Sequence, residues 1–214
     1  MGATPAETSP ATLMVDLIIS LDGYASAEGW PGWWGLEGPE YLAWLDQESA
    51  KNYTFLLGAN TYRLMYGMSA QAAADRSGFS EEEGASLTGL SAVPKIVFSS
   101  SLQAPLDWPN STLVSGDAVE AVRELKRTGT GPLSTLGSIS LARSLLLAGL
   151  VDSFRLVVFP VITGATGRER IYDGYPDVRL DMVQSRTFDG RLQLLEYVPT
   201  VLTGPPGIGQ PGRG

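Results

Sequence analysis

Residues 134–167 read STLGSISLARSLLLAGLVDSFRLVVFPVITGATG, from Ser134 to Gly167. In order, the stretch predicts a strand end, a Gly-Ser turn, an amphipathic helix, a second apolar strand and a glycine-rich loop. That is the layout of a mononucleotide-binding unit. Gly137 lets the backbone approach a phosphate, and Ser138 and Ser140 are available as helix caps. The unpaired N–H groups of the first turn, with the helix dipole, favour an anion there. Leu141, Leu145 and Leu146 fall on one helical face, and Gly149 is placed to end the helix. The competing reading is a βαβ packing unit whose Gly-Ser pair only turns the chain.

Upstream, Leu13 to Ser20, LMVDLIIS, is apolar at nearly every position and predicts a strand buried on both faces. Leu21-Asp22-Gly23 is a turn, and the Gly- and Trp-rich stretch after it is a functional loop. Pro39 suits the first residue of a helix running to about Lys51, with Leu42, Leu45 and Tyr41 facing inward. A strand at Tyr53 to Leu57 turns into a helix through Gly58-Ala59-Asn60-Thr61, with Asn60 or Thr61 as cap. The run 67–90 has weak periodicity and reads as an insertion with partial helix, and Pro94 to Ser99 is a third strand. Asp117 followed by Glu120 starts a helix whose stripe of Val119, Val122 and Leu125 stops at Gly129. Leu180 to Pro199 alternates as two strands around Asp189-Gly190, a hairpin signal. The class is three-layer α/β/α with a mixed sheet.

At 214 residues the chain suits one domain over 13–202, between mobile, disordered tails at 1–12 and 203–214 that are rich in Pro, Gly and small polar residues. A net charge of −8 with scattered basic residues argues against nucleic acid and anionic membrane as partners and leaves a small molecule. With no long apolar run and no signal-like start, the expected location is cytoplasmic. There is no cysteine and no histidine. Disulfides, thiol nucleophiles, Ser-His-Asp triads and the common zinc and haem sites are thereby excluded, and no metal site is expected. The chemistry must come from a cofactor, a carboxylate or a hydroxyl.

Four patches, Ile19-Ser20-Leu21-Asp22-Gly23-Tyr24, Leu57-Gly58-Ala59-Asn60-Thr61-Tyr62, Ile96-Val97-Phe98-Ser99-Ser100, and Leu136-Gly137-Ser138 through Pro160-Val161-Ile162-Thr163-Gly164, follow the predicted strands in order. In this arrangement the chain resembles the dihydrofolate reductase superfamily, and more closely the C-terminal reductase domain of the bacterial riboflavin-biosynthesis protein. The resemblance spans roughly Leu13 to Pro199 and implies an eight-stranded mixed sheet, NADPH as hydride donor and a homodimer. It places Gly58, Asn60 and Thr61 under the pyrophosphate and Ser99 and Ser100 near the adenosine ribose. Gly137, Ser138 and Ile139, with Leu141 in the same turn, would lie against the pyrophosphate, and Asp22 near the nicotinamide and substrate. Two departures stand out. Ala59 occupies the position of an arginine that holds the 2′-phosphate in dihydrofolate reductases, which leaves NADPH or NADH open. Tyr41 occupies the position of their carboxylate before Leu42-Ala43-Trp44, and Glu40 beside it points about 100° away on a helix.

The implied reaction is hydride transfer to a C=N or C=O bond of a small heterocycle such as a pterin or pyrimidine. Its proton would come from Asp22, if burial raises its pKa, from Tyr24 or Tyr41, or from water. Trp30, Trp33 and Trp34 either stack on a planar substrate or pack at a subunit interface, while Glu40, Thr163 and Gly164 complete the substrate side. Asp22 also has a plainer reading as a turn residue bonding local amides, and Ser99 to Ser101 as an ordinary polar loop. Two other functions keep the fold: a flavin- or deazaflavin-binding oxidoreductase, and a non-catalytic ligand-binding protein.

Overall fold

Strand β1 (Leu13–Ser20) is the strand around which the sheet is built, and it is buried along nearly its whole length. The computed structural model describes residues 11–29, 34–75, 77, 81–129 and 131–205. Within these, no helix is long and apolar enough to cross a membrane. After β1 come β2 (Tyr24–Ala27), α1 (Pro39–Ser49), β3 (Thr54–Gly58), α2 (Ala59–Ala74), α3 (Glu81–Gly89), β4 (Lys95–Phe98) and β5 (Ser111–Val114). Then follow α4 (Ala118–Thr128), β6 (Leu133–Thr135), α5 (Ile139–Leu147), β7 (Ser153–Phe159), β8 (Gly167–Arg170), β9 (Val178–Phe188) and β10 (Leu192–Val201).

Eight strands form one sheet in the order β5-β4-β3-β6-β1-β7-β10-β9, and β2 pairs with β8 in a separate ribbon. Strands β5 through β7 are mutually parallel, and β10 runs antiparallel to both β7 and β9. β1 lies between β6 and β7, which explains its two-faced apolar run. The unit β6-α5-β7 therefore crosses over β1 rather than joining adjacent strands.

Alternation along each strand sends side chains to two cores, so helices are needed on both faces. On one face Leu13, Val15, Leu17 and Ile19 meet Val122 of α4 and Leu141, Leu145 and Leu146 of α5. On the other, Val157 and Phe159 meet Tyr41 and Trp44 of α1, while Leu57 and Val97 meet Tyr62, Met65, Leu87 and Trp108. Each fully buried leucine contributes about 1.5–3 kcal/mol. The inward face of α1 thus differs from expectation: Tyr41 and Trp44 are buried, Leu42 and Leu45 only half-buried. Segment 67–90 supplies Ala72 and Leu87 to the core through α2 and α3.

A charged group lies inside this hydrophobic frame. Asp16 and Arg155 are register partners on β1 and β7, and the guanidinium reaches both Asp16 oxygens at 3.0 and 2.6 Å and Glu48 Oε2 at 2.6 Å. Arg155 also lies over the Trp44 ring, 4.9 Å from its centroid. A one-residue slip of β7 would strand these charges, so the triad pins the register.

Candidate active site

Two parallel neighbours, β3 and β6, end at the same edge of the sheet, and each turns directly into a helix. Neither helix start is capped by its own side chain: Gly58 precedes α2 and Ser138 precedes α5 without a capping bond. Helix α4 behaves differently, since Asp117 accepts from the amides of Val119 and Glu120. Asn60, Thr61 and Ser140 therefore do not cap as expected, and Ser138 has another task. Its backbone is left-handed, at φ 59°, directly after Gly137 at φ 58°. That double turn sends the Ser138 hydroxyl across to the other helix, where it accepts from Gly58 N–H at 2.8 Å and donates to Thr61 Oγ1 at 2.9 Å. The leading N–H groups of α2 and α5 are left without side-chain caps at one edge, which is the arrangement that holds a phosphate.

Of the other residues expected on the cofactor side, Ile139 begins α5, and the Leu141 side chain is buried in the core, which leaves only its backbone for a ligand. Asn60 is exposed and accepts from Arg63 at 3.4 Å. Ser99 Oγ is engaged by the amides of Ser101 and Leu102, both at 3.1 Å, and Ser100 is exposed beside it. Arg63 reaches from α2 to Ser101 Oγ at 3.4 Å, placing a cation one helical turn beyond Ala59. No spacing rule in the sequence singles Arg63 out, because its partner Ser101 lies far along the chain, in the loop after β4.

The second half of the site forms where β1 and β7 end. Asp22 accepts from Ser20 Oγ at 2.6 Å, from Gly164 N–H at 2.9 Å and from Thr163 N–H at 3.2 Å. The Ser20 bond leads in lowering its pKa to about 2; desolvation opposes it, and the Gly164 and Thr163 amides add to it. The raised pKa required for a proton donor is therefore absent, and Asp22 instead ties the Thr163-Gly164 loop to β1. Beside that loop is a shallow, open depression of about 380 Å³ lined by Ala27, Trp34, Val161, Ile162, Thr163 and Thr166.

Tyr24 begins β2, its amide donating to Ser20 Oγ at 3.0 Å, with its ring packed on Gly167. Tyr41 is 1 % exposed, within an aromatic cluster of Trp44, Phe159 and Phe188. Burial, reinforced by the charges of Asp16 and Glu37, pushes its hydroxyl far above the ordinary tyrosine range. Glu40 is exposed: its carboxylate accepts from Asp189 N–H at 2.8 Å, while its own amide donates to Asp189 at 3.0 Å. It braces the hairpin turn. Trp34 lines the depression; Trp30 and Trp33 lie outside the described residues.

A mostly parallel eight-stranded sheet with an antiparallel C-terminal pair, its uncapped helix starts gathered at one edge, defines a dihydrofolate reductase-like α/β protein. The chain belongs to the RibD C-terminal domain family, whose model matches residues 11–194. It is similar to YyaP of Bacillus subtilis (strain 168), an uncharacterized protein, with 27% identity over 187 residues covering 86% of this chain and 93% of YyaP. Among solved structures it is similar to a pyrimidine reductase-like protein from Corynebacterium diphtheriae, with TM-score 0.58 and 18% identity over 93% of this chain and 96% of the other. It is also similar to the riboflavin biosynthesis reductase Rib7 of Saccharomyces cerevisiae, with TM-score 0.56 and 14% identity over 92% of this chain and 93% of Rib7. At these identities the solved structures speak for the fold.

Proposed function

We propose that this protein is a nicotinamide-dinucleotide-dependent reductase acting on a C=N or C=O bond of a small heterocycle of pyrimidine or pterin type. The observation that carries the reading is the pair of uncapped helix starts cross-linked by Ser138. This cradle fits a dinucleotide pyrophosphate: first-turn amides of α2 and α5 donate to its oxygens, and Gly137 keeps the turn between β6 and α5 open. Arg63 and Ser101 supply a charged partner for a 2′-phosphate, which favours NADPH over NADH. When bound, the reduced nicotinamide supplies the hydride. Asp22 fixes the loop that carries Thr163, and Trp34 and Val161 line the open depression against which a flat ring would lie. The long exposed strand β9 supports a homodimer formed by two copies of this chain.

Titration of the purified protein with NADPH and NADH, followed by cofactor fluorescence, tests the reading. Saturable binding with tighter NADPH is the expected result. Absence of binding by both would overturn it, and visible flavin absorbance in the purified protein would move the assignment to a flavin enzyme on this fold.

A further inference from the structure

Among the described residues, two arginines are withdrawn from solvent: Arg155, buried on β7, and Arg143, half-buried on α5. They are provided for in opposite ways. Arg155 is matched by the carboxylates of Asp16 and Glu48, whereas Arg143 has neither an ion pair nor a hydrogen bond, and its Nε is a buried atom without a partner. A cation taken partly out of water normally keeps a compensating acceptor. A second orphan lies beside it: the Tyr175 hydroxyl is buried, unpaired and under the influence of the Arg143 charge.

The local fold brings these two donors together. Ala142 and Leu146 of α5 face the core, so Arg143 leaves the helix along its flank, towards the segment between β8 and β9. There the guanidinium lies over Gly174, which has φ 74°: an added Cβ would sit 3.3 Å from Nη1 and 3.5 Å from Nε. Gly174 is itself exposed, so the guanidinium borders solvent on that side. Tyr175 follows, its ring held edge-on by Phe154 and Tyr172 with centroids 6.2 and 6.3 Å away. Burial, with a smaller push from Tyr172, raises its hydroxyl to about 12 against the pull of Arg143, so it remains protonated and able to donate. Asp173 and Asp177 stand on the same segment, yet both are exposed and neither pairs with Arg143.

We propose that Arg143 and Tyr175 form an accessory site for an oxyanion, a carboxylate or a phosphoryl group, on the flank of α5. The Nε–H and one Nη–H of a guanidinium together receive two oxygens of a single oxyanion, and the Tyr175 hydroxyl donates to one of them. A bridging water would satisfy the polar atoms but leave the cationic charge uncompensated. The site is separate from the dinucleotide cradle. Ser138 meets Gly58 at the end of β3, whereas Tyr175 packs on Phe154 of β7, and β6 and β1 lie between those strands. It therefore does not depend on the reductase reading.

The test titrates the full chain with inorganic phosphate and with acetate, at ionic strength held constant with chloride, and follows arginine Nε–H signals by NMR. The Arg143 signal is identified by its loss in Arg143→Met. A saturable shift of that signal by phosphate, acetate or both is expected; the tighter of the two tells a phosphoryl ligand from a carboxylate. Tyr175→Phe should weaken the binding by about three- to tenfold and Arg143→Lys by about tenfold, with the rest of the spectrum unchanged. Arg63→Ala and Ser138→Ala, which alter the dinucleotide cradle, should leave the affinity read at Arg143 as it is. An Arg143 signal that neither anion moves overturns the proposal and leaves a hydrated arginine. Equal binding by wild type and Tyr175→Phe overturns it as well, because the anion then meets a lone surface charge.

Discussion

Because Asp22 is held at a pKa of about 2, against 3.8 for the free side chain, its bonds stabilise the fold only while it is ionised. The contribution is complete above about pH 4, shrinks as pH falls towards about 2, and is absent below that. Denaturation of wild type and Asp22→Asn should show a gap at neutral pH that closes near pH 2, and the Thr163 and Gly164 amides should exchange hydrogen faster in the variant. Ser138→Ala removes the acceptor for Gly58 N–H and the donor to Thr61. It should cost about 1–2 kcal/mol in urea denaturation and weaken dinucleotide binding as well. Arg63→Ala should weaken NADPH about tenfold and leave NADH nearly unchanged, measured by cofactor fluorescence. These roles were unequally legible. Gly137-Ser138 announces a strand-to-helix turn by local chemistry alone, whereas the ionisation of Asp22 depends on amides at residues 163 and 164 that only folding brings near.

Helix α1 shows how elements borrow from each other. Its N-cap is Gly38, which offers no side chain, and Pro39 follows at N1. The missing acceptor arrives from the β9–β10 turn: the Asp189 carboxylate takes the Glu40 and Tyr41 amides at 3.0 and 3.2 Å, and Glu40 returns a bond to Asp189 N–H. This is a capping box split between two distant elements. Asp189→Ala should lower stability by about 0.5–2 kcal/mol, read by thermal unfolding. Gly38→Ala should do at least as much harm, because an added Cβ runs into the Asp189 carboxylate. The Asp189-Gly190 pair is plain in the sequence as a turn, and both residues adopt the positive φ that a tight hairpin needs. Its capping duty is not, because no periodicity connects residue 189 to residue 40. Helix α4 was fully legible, since Asp117 and Gly129 mark both ends within its own sequence. The short strands β2, β5 and β8 were not, because none of their residues is buried and no apolar pattern marks them, unlike the equally short β4.

At the scale of the whole molecule, the C-terminal edge strand of the sheet lies open. β9 is exposed along nearly its full length, and Leu180, Met182 and Val183 on it are 39%, 59% and 63% exposed. A long apolar edge strand invites pairing with another chain. Light scattering should give twice the chain mass of 22.8 kDa for the wild type, and Val183→Lys should shift it towards the monomer. The overall class was readable from the alternation of strand and helix signals, while the strand order was not, because it depends on which distant strands flank β1. That order also governs how the protein is made. The apolar strand LMVDLIIS leaves the ribosome long before its partners, Leu133 for Leu13 and Ser153 for Met14. At about 5–20 residues per second, the most hydrophobic strand of the sheet waits several seconds for both neighbours. Nascent chains stalled before Leu133 should therefore be protease-sensitive and chaperone-bound, and should become resistant only once Phe159 has emerged.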